Sequence, residues 1–99
     1  MDLLNILQIP TNRMDLFIRT VEISSYLPGR VRLHLKKMVG NASLEHEVRQ
    51  YLSAVKEIEQ VETSLVTGSI LLTYQPEVLR RNAELAKVER YIMTHVKGR

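Results

Sequence analysis

The chain contains no cysteine. That absence excludes disulfides, thiolate metal sites and cysteine nucleophiles, and it suits a reducing compartment. Long apolar runs are missing too: no stretch approaches the ~20 residues that a spanning helix needs, and the first residues lack the basic start and small-residue cleavage site of a secretory signal. No transmembrane segment and a cytoplasmic location are the expectation. Aromatic residues make up only 5%, with no tryptophan, so a single-stranded nucleic acid would meet few stacking platforms. A net charge of +3 over 99 residues falls short of a dedicated polyanion binder unless it is clustered. Ser-His-Asp arrangements, paired carboxylates in an apolar setting and glycine-rich phosphate loops cannot be placed, so no catalytic residue, cofactor or small-molecule substrate is assigned.

What is present is the composition of an ordinary globular domain, 44% hydrophobic and 25% charged, in a chain long enough for one core and too short for two. The strongest local pattern runs from Arg30 to Lys36. Val31, Leu33 and Leu35 alternate with Arg30, Arg32, His34 and Lys36, the period of a strand with one dry face and one cationic face. Before it, Val21, Ile23 and Ser25 alternate with Glu22, Ser24 and Tyr26, a second strand, and Leu27-Pro28-Gly29-Arg30 lies between the two. Proline and glycine at the centre of four residues suit a type II turn. Two-residue hairpins favour primed turns, however, so one long strand kinked at Pro28-Gly29 remains the rival reading.

Ser43 is a candidate N-cap for a helix whose apolar stripe is Leu44, Val48, Tyr51, Leu52 and Val55, recurring at helical spacing. Val61, Thr63 and Leu65 then alternate with Glu62 and Ser64, Thr67-Gly68 supplies a turn, and Ile70 to Tyr74 reads as the returning strand of a hairpin. Pro76 suits the first turn of a final helix, with Val78, Leu85, Val88, Ile92 and Val96 inward and Arg80, Arg81, Glu84, Lys87 and Arg90 in water. The N-terminal segment 1 to 18 is an apolar extension in which Leu3, Leu4 and Leu7 stand out. A helix so short is unstable alone, so it must dock on its own domain, another copy or a partner. Residues 19 to 99 form the single domain.

The order strand, helix, strand, strand, helix is an α+β split β-α-β arrangement, an antiparallel sheet with two helices on one face and its last strand missing. Leu27-Pro28-Gly29-Arg30-Val31-Arg32, then Val61-Glu62-Thr63, then Thr67-Gly68-Ser69-Ile70-Leu71-Leu72-Thr73-Tyr74 together resemble the second type of heavy-metal-associated domain over roughly residues 21 to 93. The resemblance implies a ferredoxin-like β-α-β-β-α-β sandwich. Its missing fourth strand would pair with the central first strand. Residues 18 to 26 can replace it if Pro28-Gly29 is a hairpin turn, and a second protomer can if it is not. In metal-carrying relatives the loop after the first strand reads Met-x-Cys-x-x-Cys. This chain has Met38-Val39-Gly40-Asn41-Ala42-Ser43 there, with Gly40 and Ser43 at the cysteine positions of a degenerate metal loop, so no metal site is assigned.

The function expected from these features is a non-catalytic protein-interaction or oligomerisation domain, docking to itself or to a protein partner through Arg30, Arg32, His34 and Lys36 and through Leu3, Leu4 and Leu7. The bland alternative for the basic row is a solvated face paired with Glu22 or Glu62. Two other classes compete: metal handling with histidine and methionine ligands, of which His34 with Met38 is the nearest pair, and weak nucleic-acid binding by the basic face with Tyr26 and Tyr74 to stack on. His46 is expected on the solvent side of the first long helix, away from His34, and His95 lies near the end of the chain.

Overall fold

A computed structural model describes residues 14–97. Its elements are α1 (Met14–Ile18), β1 (Glu22–Leu27), β2 (Arg30–His34), a single 3-10 turn (Lys36–Met38), α2 (Ala42–Ser53), β3 (Ile58–Thr63), β4 (Ser69–Tyr74), α3 (Pro76–Leu79) and α4 (Ala83–His95). The four strands form one sheet in the order β1-β2-β4-β3, and every neighbouring pair is antiparallel. This is the ferredoxin-like arrangement with β1 in the position of the missing fourth strand. The sheet is therefore completed within the chain.

The Pro28-Gly29 alternative resolves as a hairpin, because Leu27 and Arg30 are opposed in the β1-β2 ladder. Gly29 has φ of +89°, a conformation open to glycine and costly to a residue with a side chain. A Cβ there would also lie 2.8 Å from the carbonyl oxygen of Tyr74. The β1 register is not a simple alternation: the ladder is bulged between Ile23 and Ser25. The extra residue shifts the face by one position, so Tyr26 turns toward the helices and Ser25 toward the open side, the reverse of the expectation for these two residues. Beyond β1, the amide of Lys97 donates to the Ile23 carbonyl at 2.8 Å and occupies part of that edge. The opposite edge strand, β3, is also bulged, between Ile58 and Gln60.

The core lies between one sheet face and the helices. Ile23, Val31, Leu33, Ile70, Leu72 and Tyr74 meet Leu44, Val48, Leu52, Leu85, Val88 and Ile92 there. α1 is part of it: Phe17 is fully buried and its ring tilts against Tyr51 with centroids 5.7 Å apart. Residues 1–13, with Leu3, Leu4 and Leu7, lie outside the described residues.

Two helix boundaries differ from the sequence reading. Asn41, not Ser43, caps α2, its side-chain oxygen accepting from the Leu44 amide at 3.0 Å, and Ser43 sits inside the first turn. The final helix is two pieces. Asn82 accepts from the amides of Glu84 and Leu85 and starts α4 afresh, since an asparagine side chain competes well for first-turn amides. The break rotates the stripe, so Leu79 is buried while Val78 is 36% exposed.

Candidate functional site

Three regions carry chemistry among the described residues: the sheet face that none of them covers, the loop after β2, and a buried carboxylate beneath the sheet. On that sheet face, β2 presents Arg30 and Arg32 to solvent with His34 half-buried, and Lys36 continues the alternation although it belongs to the 3-10 turn and not to the strand. β2 is an inner strand, hydrogen-bonded on both sides, so its side chains project from a rigid base. His34 is opposite Glu22, with Nδ1 3.4 Å from a carboxylate oxygen, and Lys97 reaches the other oxygen at 3.3 Å. The hydrogen bond and charge of Lys97, then His34, hold the Glu22 carboxyl below the usual carboxylate range. Arg30 and Arg32 are different. Neither lies within ion-pair distance of a carboxylate among the described residues, so pairing with Glu22 or Glu62 does not account for them.

No tyrosine or phenylalanine ring of the described residues shares this face. Tyr26 and Tyr74 both point to the helix side, where their hydroxyls meet Glu89. The stacking platforms that a single-stranded nucleic acid would need on the basic face are therefore missing from it.

The loop after β2 is the one that the resemblance sets against the metal-binding loop of metal-carrying relatives. Met38 is fully buried in the core, Gly40 has no side chain, and Ser43 offers a neutral hydroxyl in the first turn of α2. A soft cation asks for thiolate or accessible thioether ligands, and this donor set does not fit one. Among the described residues no three of His, Cys, Asp and Glu come together. His34 is on the sheet, His46 is exposed on α2, and His95 stacks on Tyr91 at 3.9 Å between centroids. The loop is instead tied down by backbone bonds to the β3-β4 turn: Gly40 N donates to Leu65 O at 2.9 Å and Leu35 N to Gly68 O at 2.8 Å.

Sequence reasoning missed the third region. Glu89 on α4 is 3% exposed. Its carboxylate accepts from Tyr74 Oη at 2.7 Å, Tyr26 Oη at 3.0 Å, Arg80 Nε at 2.7 Å and Arg80 Nη2 at 3.2 Å. Burial alone would push this carboxyl up, but the bonds from Arg80, Tyr74 and Tyr26 outweigh it and hold it below the usual range. Burial and the bond to Glu89 push the Tyr74 phenol up, so it stays a donor at neutral pH. A signal for this cluster exists in the sequence: Glu89 falls among Leu85, Val88 and Ile92 on the apolar stripe, where an anion must find partners. Arg80, expected in water, is that partner, brought round by the α3-α4 break. Around the carboxylate the wall is apolar, with Val31, Leu33, Leu72, Leu85, Val88 and Ile92 lining a void of about 40 Å³.

No helix among the described residues is long and apolar enough to cross a membrane. No curated protein and no solved structure matches the chain. A protein-family model does, over residues 14–95, which takes in every element from α1 through the end of α4. The antiparallel sheet order, the two long helices on one face and this match agree: the chain belongs to the heavy metal associated domain 2 family.

Proposed function

We propose that this domain is a non-catalytic docking module that receives a carboxylate-bearing protein surface on the open face of its sheet. The observation that carries the reading is the pair Arg30 and Arg32, standing on a rigid inner strand of the open face with no carboxylate partner among the described residues. At two residues of strand rise they stand about 7 Å apart, a spacing that lets each guanidinium take a separate carboxylate through paired N–H donors. Half-buried Leu71 and exposed Leu27 lie beside them on the same face and add apolar contact. His34 and Lys36 extend the row, and the apolar Leu3, Leu4 and Leu7 belong to the same proposal as a second contact. A chain without cysteine suits such work in a reducing cytoplasm.

Exposed ion pairs contribute little each, roughly 0 to 1 kcal/mol. The expected affinity is therefore modest and salt-sensitive. Titrating the 15N-labelled full chain with a peptide of alternating glutamate and leucine should shift the amides of residues 30–34 and 69–73, less at high salt, and Arg30→Ala with Arg32→Ala should abolish the shifts. Shifts confined to the helices, or none, would reject the docking face. Tight binding of zinc or copper(I) by calorimetry would move the reading to metal handling with histidine and methionine.

A further inference from the structure

Across the middle of the open face, one row of opposed residues reads Ser25, Arg32, Leu71, Glu62 from β1 to β3. β4 contributes the central Leu71, with Ser69 and Thr73 two residues to either side along the strand. One interstrand spacing away, about 4.8 Å, stands a cation on the β2 side and an anion on the β3 side. Arg32 and Glu62 are both exposed, and neither has an ion-pair partner among the described residues.

A cation, an apolar centre and an anion in line are their own complement under a two-fold rotation. With the axis between two stacked sheets and parallel to β4, Leu71 of each copy meets Leu71 of the other, and Arg32 of each meets Glu62 of the other. The next row along, Arg30, Thr73, Gln60, behaves likewise, because the same rotation sets Arg30 against the side-chain amide oxygen of Gln60. Other axes fail on charge. An axis across the strands stacks β2 on β2 and sets Arg32 against Arg32 and Glu62 against Glu62. One running between β2 and β4 sets Arg32 on Leu71 and leaves the guanidinium covered without an anion, which is costly. Stacked sheets keep their strands within about 30° of each other, so the central row can align.

We infer that a second copy of this chain docks on the open sheet face about a two-fold axis along β4, joined by two equivalent Arg32–Glu62 pairs around a Leu71 contact. The inference rests on the docking reading above and names the partner. Both edge strands are bulged, and Lys97 occupies part of the β1 edge, which disfavours adding strands edge to edge and favours the face over the edges. Three strands by five residues overlap over roughly 14 by 17 Å. That is well below the ~800 Å² per partner of a standard interface, so the dimer is weak and exchanges quickly.

Sedimentation velocity of the full chain from about 20 μM to 1 mM at low salt tests it. The expected result is a monomer giving way to a dimer at the upper end, with Arg32→Glu and Glu62→Arg each weakening association about tenfold or more. The double variant Arg32→Glu/Glu62→Arg should restore it to within about threefold of the parent, since the swap rebuilds both pairs. Far-UV circular dichroism and melting temperature confirm that each variant is folded, as expected at two exposed positions. A monomer at every concentration, a dimer indifferent to the single swaps, or a double variant no better than the singles would overturn the inference. If the chain stays monomeric while the glutamate-leucine peptide still shifts residues 30–34, the second copy is wrong and the docking face stands; if neither is seen, both fall.

Discussion

Replacing Glu89 by alanine removes the anion on which three donor side chains from β1, β4 and the α3-α4 turn converge. The loss can be worked group by group. Tyr74 is 6% exposed, so its orphaned hydroxyl costs about 1 to 3 kcal/mol. Tyr26 is half-buried and can turn to water at little cost. Arg80 has a side chain 50% exposed, so its guanidinium rehydrates and the lost pair adds little. The total is roughly 1 to 3 kcal/mol, a sizeable share of the ~5 to 15 kcal/mol that keeps a domain folded. The same geometry sets a pH signature. The folded pKa of Glu89 is depressed below its ordinary value of 4.5, so its contribution is complete above 4.5 and disappears as pH falls through the folded value. Urea denaturation followed by far-UV circular dichroism at pH 7 and at steps between 5 and 3 reads both effects. Glu89→Ala should lower stability at pH 7 by the stated amount, and the variant should lose less than the parent on acidification. A variant within about 0.5 kcal/mol of the parent at pH 7, a loss no larger than that of an ordinary surface change, with an unchanged acid limb, would refute the account of the buried carboxylate.

Two further expectations test other joints of the fold by the same denaturation assay. A Cβ at Gly68, at φ +74°, would lie 2.6 Å from the Leu35 carbonyl oxygen, whereas at Gly40, at φ +69°, nothing lies within 4 Å; Gly68→Ala should therefore cost clearly more than the ~1 kcal/mol of left-handed strain expected for Gly40→Ala, and equal costs would count against the tight packing of the two loops. Phe17→Ala should cost about 3 to 5 kcal/mol, the range for a fully buried phenylalanine; a loss under about 1 kcal/mol would mean that α1 is not part of the core.

The element order and the cationic face were legible because they are local. Alternation over residues 30 to 36 survives even where the strand gives way to a turn at Lys36, since the period depends on neighbours two apart and on which side is dry. The stripe Leu44, Val48, Tyr51, Leu52 is buried as read, while Val55, also buried, lies just past the end of α2 at Ser53. Pro28-Gly29 marked a reversal but left two geometries open, and pairing of Leu27 with Arg30 decided between them. The α2 cap was misplaced by two residues because Asn41 and Ser43 are both good caps, and the choice falls to whichever backbone the preceding loop presents.

What the sequence alone determined is the ferredoxin-like order of strands and helices, the dry and wet sides of β2, and the lack of thiolate ligands in the loop after it. Only the tertiary structure decided that β1 completes the sheet, that a bulge turns Tyr26 inward, that the last helix breaks at Asn82, and that Glu89, Tyr74, Tyr26 and Arg80 converge. The reason is separation along the chain: Tyr26 and Glu89 are 63 residues apart. A residue's own neighbours set its period and its cap, but which anion meets which donor is fixed only when distant segments are packed against each other and water is excluded between them.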